Sequence, residues 1–502
     1  MELRTKTIRA IKWNFVATAA GAVVSLVQLW ALSRILPPHE YGVIGAGFIV
    51  IAVFNIFIDF GLSNAIIRKQ DITATELSSL YCLGVWLGLI NFMLAFFLSG
   101  YLGAFFKSEE VVLQIRIMSL TFLFVAFGQQ QRVMLTRAMR FDTIARVTVV
   151  TMLLNFVTVI GLALLYRKAW VASVAAVAST AVGCLMYFLQ GLRERPLSFA
   201  FRWEAARPHL AYALFLVLDS LINVVSISTF PIVMGRLVNL TAIGGYNIAN
   251  GISLNLIERL KPVLTQALFP AFARLQDDND RLASNFLLVT TYGALINFPL
   301  LSGTLVCSHL IVESFFQPQW LFVAPLVQVL CLVGMVRSLD APVISLLLVK
   351  ARMHLNIQLG IPKLLLGVLL AYVLGIRYGL EGIVWSFLLV QSANTIAAYF
   401  FMVRACLPGV GAAYARSILI PALQALPIVL AAGALAWLPT SSLPGLLQAP
   451  AAHLALVVAT GVLAYLLGLW FSPFTTVQRF VDLVASNLHT RLGAAVAARN
   501  LP

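Results

Sequence analysis

Residues 43–58 read VIGAGFIVIAVFNIFI, and no side chain in this run is charged. A helix needs about 20 apolar residues to cross a bilayer core about 30 Å thick, and apolar runs of that length follow one another from Trp13 to Pro473. The composition agrees, because 61% of the 502 residues are hydrophobic and only 11% are charged. A water-soluble protein of this size needs more polar surface, so we predict an all-α polytopic membrane protein.

The apolar runs predict about fourteen transmembrane helices. They do not alternate between apolar and polar residues as membrane β-strands do, and a helix satisfies its own backbone hydrogen bonds within lipid. The predicted spans are residues 13–33, 43–66, 78–105, 111–131, 145–166, 169–190, 211–235, 243–272, 284–311, 321–349, 355–375, 380–403, 417–438 and 451–472.

The basic residues predict the orientation, because Lys and Arg near short loops stay in the cytoplasm. With both termini in the cytoplasm, most of the 34 Lys and Arg residues lie on cytoplasmic segments. The basic residues on predicted outer segments are Arg34, Lys107, Arg167, Lys168, Arg236 and Arg377. We therefore attribute the net charge of +15 to topology and to attraction by anionic membrane lipids, and expect no nucleic-acid partner.

An internal duplication divides the helices into two sets. Segments Ser33–Leu36 and Glu40–Val43 resemble segments Gly235–Val238 and Ile243–Tyr246, about 200 residues later. Repeats of six helices share one orientation, and such halves around a midplane site are a transporter architecture. We predict an N-terminal lobe at 1–208, a C-terminal lobe at 209–408, two further helices at 409–474 and a cytoplasmic amphipathic tail at 475–502.

The eighth span holds the densest group of charges, Glu258, Arg259 and Lys261. A charge inside the membrane costs roughly 2.5–3.5 kcal/mol on insertion scales, so it requires a partner, a cavity or a function. Glu258 and Lys261 are three residues apart and can pair on one helix face. Arg259 then remains to bind a diphosphate or an acidic sugar, or to bond structurally to carbonyl groups.

Other spans carry single charges or charges at helical spacing. Arg337 and Asp340 can neutralise each other or contact a cargo. Asp219 and Asn223 share a helix face, and the carboxylate can carry a coupling proton or cation or bond to a neighbouring helix. Three further charged residues are candidates for lining a cavity or for gating, and each also has a purely structural interpretation. They are Arg116, which can snorkel, Lys363 after Pro362, and Asp59, which can cap a helix or form a salt bridge.

The sequence lacks the motifs that are typical of several classes of enzyme. There is no GxxxxGK[ST] loop for a nucleotide and no HExxH zinc motif, and the histidines are scattered. The five cysteines form no CxxC pair, so we interpret them as packing residues. The predicted outer loops are too short to fold a catalytic lid. We expect no enzyme activity, no cofactor and no metal ion.

Short motifs also occur in a known family. They are Trp13-Asn14, Arg34–Pro37, Tyr41-Gly42, Asp59–Leu62, Ala65–Arg68 and Gly245-Tyr246. Over nearly its whole length the chain resembles the polysaccharide-transport flippases of the multidrug/oligosaccharidyl-lipid/polysaccharide superfamily, especially the exopolysaccharide, lipopolysaccharide and colanic-acid branch. This resemblance implies two six-helix lobes around a hydrated cavity and alternating access. The implied cargo is an undecaprenyl-diphosphate-linked oligosaccharide, carried across the bacterial inner membrane.

Three functions remain open on these observations. The first is a flippase for lipid-linked oligosaccharide, with a polysaccharide polymerase and its assembly machinery as expected partners. The alternatives are a cation-coupled small-molecule exporter or lipid II flippase of the same superfamily, and a membrane polysaccharide polymerase. The expected substrate-binding residues are Arg259, Lys261, Arg337, Arg116 and Lys363, and the expected coupling or gating residues are Asp219, Asn223, Glu258, Asp340 and Asp59.

Overall fold

A computed structural model describes residues 20–59, 63, 66, 72–194, 200–438, 449–482 and 486. Within these ranges, its description leaves out the side chains of residues 59, 192–194, 205–206, 208–216, 219, 256, 259–264 and 266–267. Most of the predicted amphipathic tail at 475–502 lies outside the described residues. Residues 475–482 are helical, and the ring of Phe480 lies 5.1 Å from that of Tyr292.

Helices account for the described residues apart from short connections, and no strand occurs among them. In chain order the helices are α1 (Ala20–Ile35), α2 (Pro38–Asp59), α3 (Ala74–Phe106), α4 (Glu109–Arg137), α5 (Phe141–Tyr166), α6 (Trp170–Glu194), α7 (Trp203–Leu237), α8 (Leu240–Ser253), α9 (Asn255–Ala273), α10 (Asn279–Phe315), α11 (Ala324–Arg337), α12 (Asp340–Val349), α13 (His354–Ala398), α14 (Gly411–Ala436) and α15 (Pro450–Trp470). Pro318–Val323 forms a 3-10 turn before α11, and Tyr399–Val403 a π turn after α13.

The predicted all-helical membrane fold is confirmed for this part of the chain. Eleven of its helical stretches are long and apolar enough to cross a membrane. One of these, His354–Cys406, holds two predicted spans, because Gly379 interrupts the helix with φ 61° and ψ −137°. A helix is present at each of the other predicted spans, including the shorter α1 and the pair α8 and α9. The structure is therefore consistent with about fourteen spans.

Exposed apolar side chains cover the helices as they do in a membrane protein. Phe97, Leu165 and Leu430 are each at least 70% exposed, which in water would be a large unfavourable surface. Trp437 at the end of α14 and Trp470 at the end of α15 are 90% and 77% exposed. Tryptophan at helix ends is typical of the interface between bilayer and water.

Local sequence explains where several helices begin and end. Thr73 caps α3 in a capping box, since its hydroxyl accepts from the Glu76 N–H while the Glu76 carboxylate accepts from the Thr73 N–H. Lys107 and Arg167 end α3 and α5 in the left-handed conformation and donate their N–H groups to the last turn. Their positive charges also suit the negative end of a helix dipole. This accounts structurally for two of the basic residues predicted on outer segments.

The described residues pack into two compact units. The first comprises residues up to Gly251 together with Gly360–Phe387, and the second comprises Ile252–Leu359 together with residues from Leu388 onward. The predicted lobes at 1–208 and 209–408 and the further helices at 409–474 rest on internal repetition, which these packing units do not test. That division stays a prediction.

Each unit has its own apolar core. In the first unit, Phe122 is fully buried against Ile51, Ile58, Ala95 and Met118. In the second unit, the ring of Tyr414 stacks on Phe286 at 5.8 Å and on Tyr399 at 5.5 Å.

A side chain repairs the backbone of α10 where a proline interrupts it. Pro299 lies inside α10 and has no N–H, so the carbonyl of Leu295 loses its usual donor four residues later. The hydroxyl of Tyr465 on α15 donates to that carbonyl at 2.6 Å. A backbone carbonyl left unpaired in a membrane interior is costly, so this bond fixes α15 to α10 at the proline.

We expect Tyr465→Phe to lower the stability of the protein in detergent by about 1 kcal/mol, because the Leu295 carbonyl then lacks a donor. In a Pro299→Ala background, the N–H of residue 299 can bond to Leu295, so the same substitution should cost much less. Thermal melting of the four proteins measures both costs. An equal cost in the two backgrounds would contradict the role given to Tyr465.

Candidate functional site

An ion pair joins two helices within the second unit. A guanidinium nitrogen of Arg337 (Nη2) lies 2.9 Å from Oε1 of Glu258. The Arg337 side chain is only 9% exposed, whereas that of Glu258 is 37% exposed. The arginine is therefore enclosed by protein, whereas the carboxylate is partly exposed.

The helix ends explain why these charges are tolerated in an apolar region. The chain breaks at Leu254 between α8 and α9, which places Glu258 in the first turn of α9. Arg337 is the last residue of α11. A carboxylate suits the positive end of a helix dipole and a guanidinium suits the negative end. Interrupted helices that present their ends inside the membrane are a feature of transporter binding sites.

Further contacts hold the break at Leu254 against α11. The hydroxyl of Ser253 lies 3.3 Å from the carbonyl oxygen of Val327, to which it donates. At Gly334, an added Cβ would come within 2.8 Å of the Leu254 side chain and within 3.4 Å of Ile257. Glycine at this position lets α11 pack closely against these side chains. The ion pair is therefore one part of a packed junction.

The structure gives Glu258 a partner that the sequence did not suggest. The expected partner within the same helix was Lys261, whose side chain, like that of Arg259, lies outside the described residues. The side chains of Asp219 and Asp59 also lie outside them. Asp340, the expected partner of Arg337, is half-buried and begins α12 three residues further on.

The remaining candidate residues lie in the first unit. Arg116 on α4 is exposed, donates from Nε to the Ser99 hydroxyl at 3.1 Å and lies 5.4 Å from the ring centre of Phe96. Asn223 on α7 is exposed, and Lys363 on α13 is half-buried. Among the candidate residues whose side chains are described, Glu258 and Arg337 thus form an ion pair, and Arg116 contacts Ser99 and Phe96 on α3.

A polar cluster in the first unit was not expected from the sequence. The buried carboxylate of Glu40 accepts from Nζ of Lys168 at 3.0 Å and from the N–H of Ala169 at 2.6 Å. Glu110 lies 3.8 Å from the same Nζ and 3.6 Å from Nδ1 of His39. The hydrogen bond to Glu40, and then the charges of both carboxylates, raise the pKa of Lys168.

A signal for this cluster was present in the sequence. Glu40 and Glu110 each fall in the first turn of a helix at a predicted outer end, and Lys168 lies in a predicted outer loop. Carboxylates and a lysine on neighbouring loops of the same membrane face are natural partners. With these charges paired to one another, the cluster works as a tie between α2, α4 and the loop before α6.

A family model described as "Polysaccharide biosynthesis protein" matches residues 31–325 of the chain. The lipopolysaccharide biosynthesis protein WzxC of Escherichia coli is 32% identical over 87% of this chain and 88% of its own length. The teichuronic acid biosynthesis protein TuaB of Bacillus subtilis is 27% identical over 91% of this chain and 93% of its own length.

A solved structure has the same fold. It is the lipid II flippase MurJ in an inward closed conformation, which superposes with a TM-score of 0.73. The match covers 94% of this chain and 99% of the MurJ chain, at 12% sequence identity. At that identity the likeness concerns the arrangement of helices and not the residues of a site.

We expect Arg337→Ala to destabilise the protein, because it leaves the carboxylate of Glu258 without this partner. Breaking a fully buried pair costs roughly 3–5 kcal/mol, and the partial exposure of Glu258 reduces our expectation to about 1–3 kcal/mol. Adding Glu258→Gln should regain part of the loss, since the uncompensated charge is then removed. Melting temperatures in detergent test this, with the exposed Arg404→Ala as control. No recovery in the double variant would argue against the pair.

Proposed function

This chain belongs to the family of polysaccharide biosynthesis proteins, and on that premise we propose that it is a flippase. Its cargo is an oligosaccharide repeat unit carried on a polyprenyl diphosphate, undecaprenyl diphosphate in particular. It moves this cargo across the bacterial inner membrane for the assembly of exopolysaccharide or lipopolysaccharide. The observation that carries the proposal is the similarity to WzxC along 87% of the chain.

Two further observations support a translocating role. The relatives WzxC and TuaB are named for the biosynthesis of lipopolysaccharide and of teichuronic acid, so an activity that they share concerns a step common to both products. The described chain consists of apolar helices with the fold of a lipid II flippase. Moving a glycan–lipid between leaflets is a step of that kind.

The cargo needs such a protein because its sugar portion is too polar to cross the bilayer unaided. A hydroxyl group transferred into hydrocarbon without a hydrogen-bond partner costs on the order of a few kcal/mol, and an oligosaccharide carries many hydroxyl groups. Spontaneous crossing is therefore negligible. A hydrated route between helices removes most of this cost for the sugar and the diphosphate, while the lipid tail stays in the bilayer.

The proposal assigns no chemical reaction to the chain. Four described connections on the predicted outer side, 36–37, 107–108, 167–169 and 238–239, are too short to fold a catalytic lid. With both termini in the cytoplasm, a polymerase and other assembly proteins receive the cargo on the opposite face. Alternating access lets the sugar pass without a continuous pore.

The intramembrane charges divide between cargo binding and control of the cycle. We assign the diphosphate to Arg259 and Lys261, on the turn of α9 that carries Glu258, because cations recognise phosphate oxygens. Arg337 holds Glu258 at this turn and, with Asp340, orders the junction beside it. The other cations, Arg116 and Lys363, contact the cargo elsewhere on its route. Asp219, Asn223 and Asp59 are assigned to coupling or gating.

Depletion of the protein in its native cell tests the function. We expect lipid-linked repeat units to accumulate on the cytoplasmic leaflet, where sugar-binding reagents added from outside cannot reach them. Their mass identifies the glycan. Accumulation of single units on the outer leaflet would instead indicate a polymerase, accumulation of lipid II a lipid II flippase, and no accumulation a small-molecule exporter.

Variants expressed in the same depleted cells test the assigned diphosphate site. We expect Arg259→Ala to leave the repeat units on the cytoplasmic leaflet at normal protein levels, because the diphosphate loses a cation. Arg274 is an exposed arginine just after the same helix. As a control, the Arg274→Ala variant expressed in the depleted cells should restore transport fully. Normal transport by Arg259→Ala would remove Arg259 from the site while leaving the function intact.

A further inference from the structure

Arg116 lies on an exposed face of α4 whose other side chains are apolar. Leu113, Leu120, Phe124 and Phe127 share this face at spacings of three or four residues, and all four are exposed. A surface of leucine and phenylalanine is unfavourable in water, so this face of α4 lies against lipid and does not line a hydrated route. Arg116 is the charged member of the set.

Contacts with α3 hold the Arg116 side chain in place. Its Nε donates to the hydroxyl of Ser99 at 3.1 Å, and that hydroxyl in turn donates to the carbonyl oxygen of Phe96 at 2.6 Å. The guanidinium carbon lies 5.4 Å from the centre of the Phe96 ring, a distance typical of a cation–π contact. The side chain is therefore ordered against a neighbouring helix before any ligand arrives.

Most of the hydrogen-bond donors of Arg116 remain unused. A guanidinium has five N–H groups, and Nε carries one of them. The four on Nη1 and Nη2 make no hydrogen bond within the described part of the chain, and no carboxylate there pairs with them, although Glu109 and Glu110 begin the same helix. A charge against lipid is costly without a partner. The fork of Nη1 and Nη2 matches the oxygens of a phosphate group.

The depth of Arg116 corresponds to that of lipid phosphates. Ser99 lies seven residues before the end of α3, and Arg116 lies seven residues after the start of α4. Each is therefore about 10 Å from the end of its helix. The 29 residues of α4 span about 43 Å, which exceeds a hydrocarbon core of about 30 Å by about 6 Å on each side. The long side chain of Arg116 thus reaches the boundary of the core, and the predicted orientation makes this the outer boundary.

We propose that Arg116, positioned by Ser99 and Phe96, binds the phosphate group of a lipid in the outer leaflet. The lipid lies along the apolar face of α4, with its phosphate on the Nη fork and its chain beside Leu120. Two kinds of lipid present this chemistry, an anionic phospholipid and the diphosphate carrier of the proposed cargo once it has reached the outer leaflet. The site does not depend on the flippase function, because a phospholipid alone satisfies it.

A photoreactive side chain beside Arg116 tests the site. Leu120, one turn deeper on the same face, is replaced by p-benzoylphenylalanine, and the purified full-length protein is placed in phosphatidylcholine nanodiscs. One preparation also contains phosphatidylglycerol, and the other contains undecaprenyl diphosphate. After illumination, mass spectrometry measures the share of each lipid among the adducts. We expect the anionic lipid to be enriched about fivefold over its share in the bilayer, the preference that one cation near the membrane surface provides.

The two preparations distinguish the sources of the phosphate. Enrichment of phosphatidylglycerol would assign the site to phospholipid, and enrichment of undecaprenyl diphosphate alone would assign it to the cargo carrier. Either result supports a phosphate site at Arg116. Enrichment of neither lipid would overturn the proposal.

Variants separate this site from general surface charge. In the Leu120→p-benzoylphenylalanine protein, Arg116→Gln should reduce the adducts to the composition of the bilayer, because the guanidinium is lost. Ser99→Ala should give an intermediate enrichment, because Nε then lacks the acceptor that orients it. As a control, Arg146→Gln should leave the enrichment unchanged, since Arg146 lies at the predicted inner side and pairs with Asp142 at 2.7 Å. Unchanged enrichment in Arg116→Gln, or an equal loss in Arg146→Gln, would reject the site.

The position of the photoreactive group provides a test that needs no change at Arg116. Val157 on α5 is also exposed and lies at a similar predicted depth. With p-benzoylphenylalanine at Val157 in place of Leu120, the adducts should have the composition of the bilayer. Equal enrichment at both positions would contradict a site at Arg116, even if Arg116→Gln did not fold. Because this experiment involves no transport, a failure of the flippase function would be seen in the depletion experiment and not here.

Discussion

Polar groups in hydrocarbon must find partners within the protein, and the rest of this structure depends on that constraint. It makes the described chain helical and directs the charges to helix ends. Glu258 lies in the first turn of α9 and Arg337 ends α11, so each charge is stabilised by a helix dipole and by the other charge. The same constraint applies to the Leu295 carbonyl, which lacks a backbone donor because residue 299 is a proline. The hydroxyl of Tyr465 donates a hydrogen bond to it instead.

A translocating protein has to satisfy this constraint and still move. The described helices make contacts of two kinds. In the first kind, ion pairs and hydrogen bonds, such as those of Glu40 with Lys168 and Ala169, hold neighbouring segments together. In the second kind, the crossing of α2 and α8 consists of backbone packed on backbone at Gly42 and Gly244.

The sequence predicted the helices well because membrane crossing requires a length and an apolarity that can be read locally. The partners of charged residues were less predictable. Helical spacing suggested Lys261 for Glu258, and that pairing stays a prediction because the Lys261 side chain lies outside the described residues. The observed partner, Arg337, comes from another helix and could not be inferred from spacing along one helix. The duplication was visible around Gly42 and Gly244, but their mutual contact requires knowing how the repeats pack. Lys168 was expected only to mark an outer loop, and its bond to Glu40 depends on tertiary structure.

The most direct test of the account is translocation by the purified protein. Lipid-linked repeat units would be incorporated into liposomes with and without the protein, in the absence of any nucleotide. An impermeant enzyme that modifies the sugar then reports which leaflet holds each molecule. If this chain moves lipid-linked sugar between leaflets, the protected inner-leaflet fraction becomes accessible only in liposomes that contain the protein. Equal protection in both preparations, with the protein folded and cargo present, would contradict the central claim that this chain moves lipid-linked sugar between leaflets.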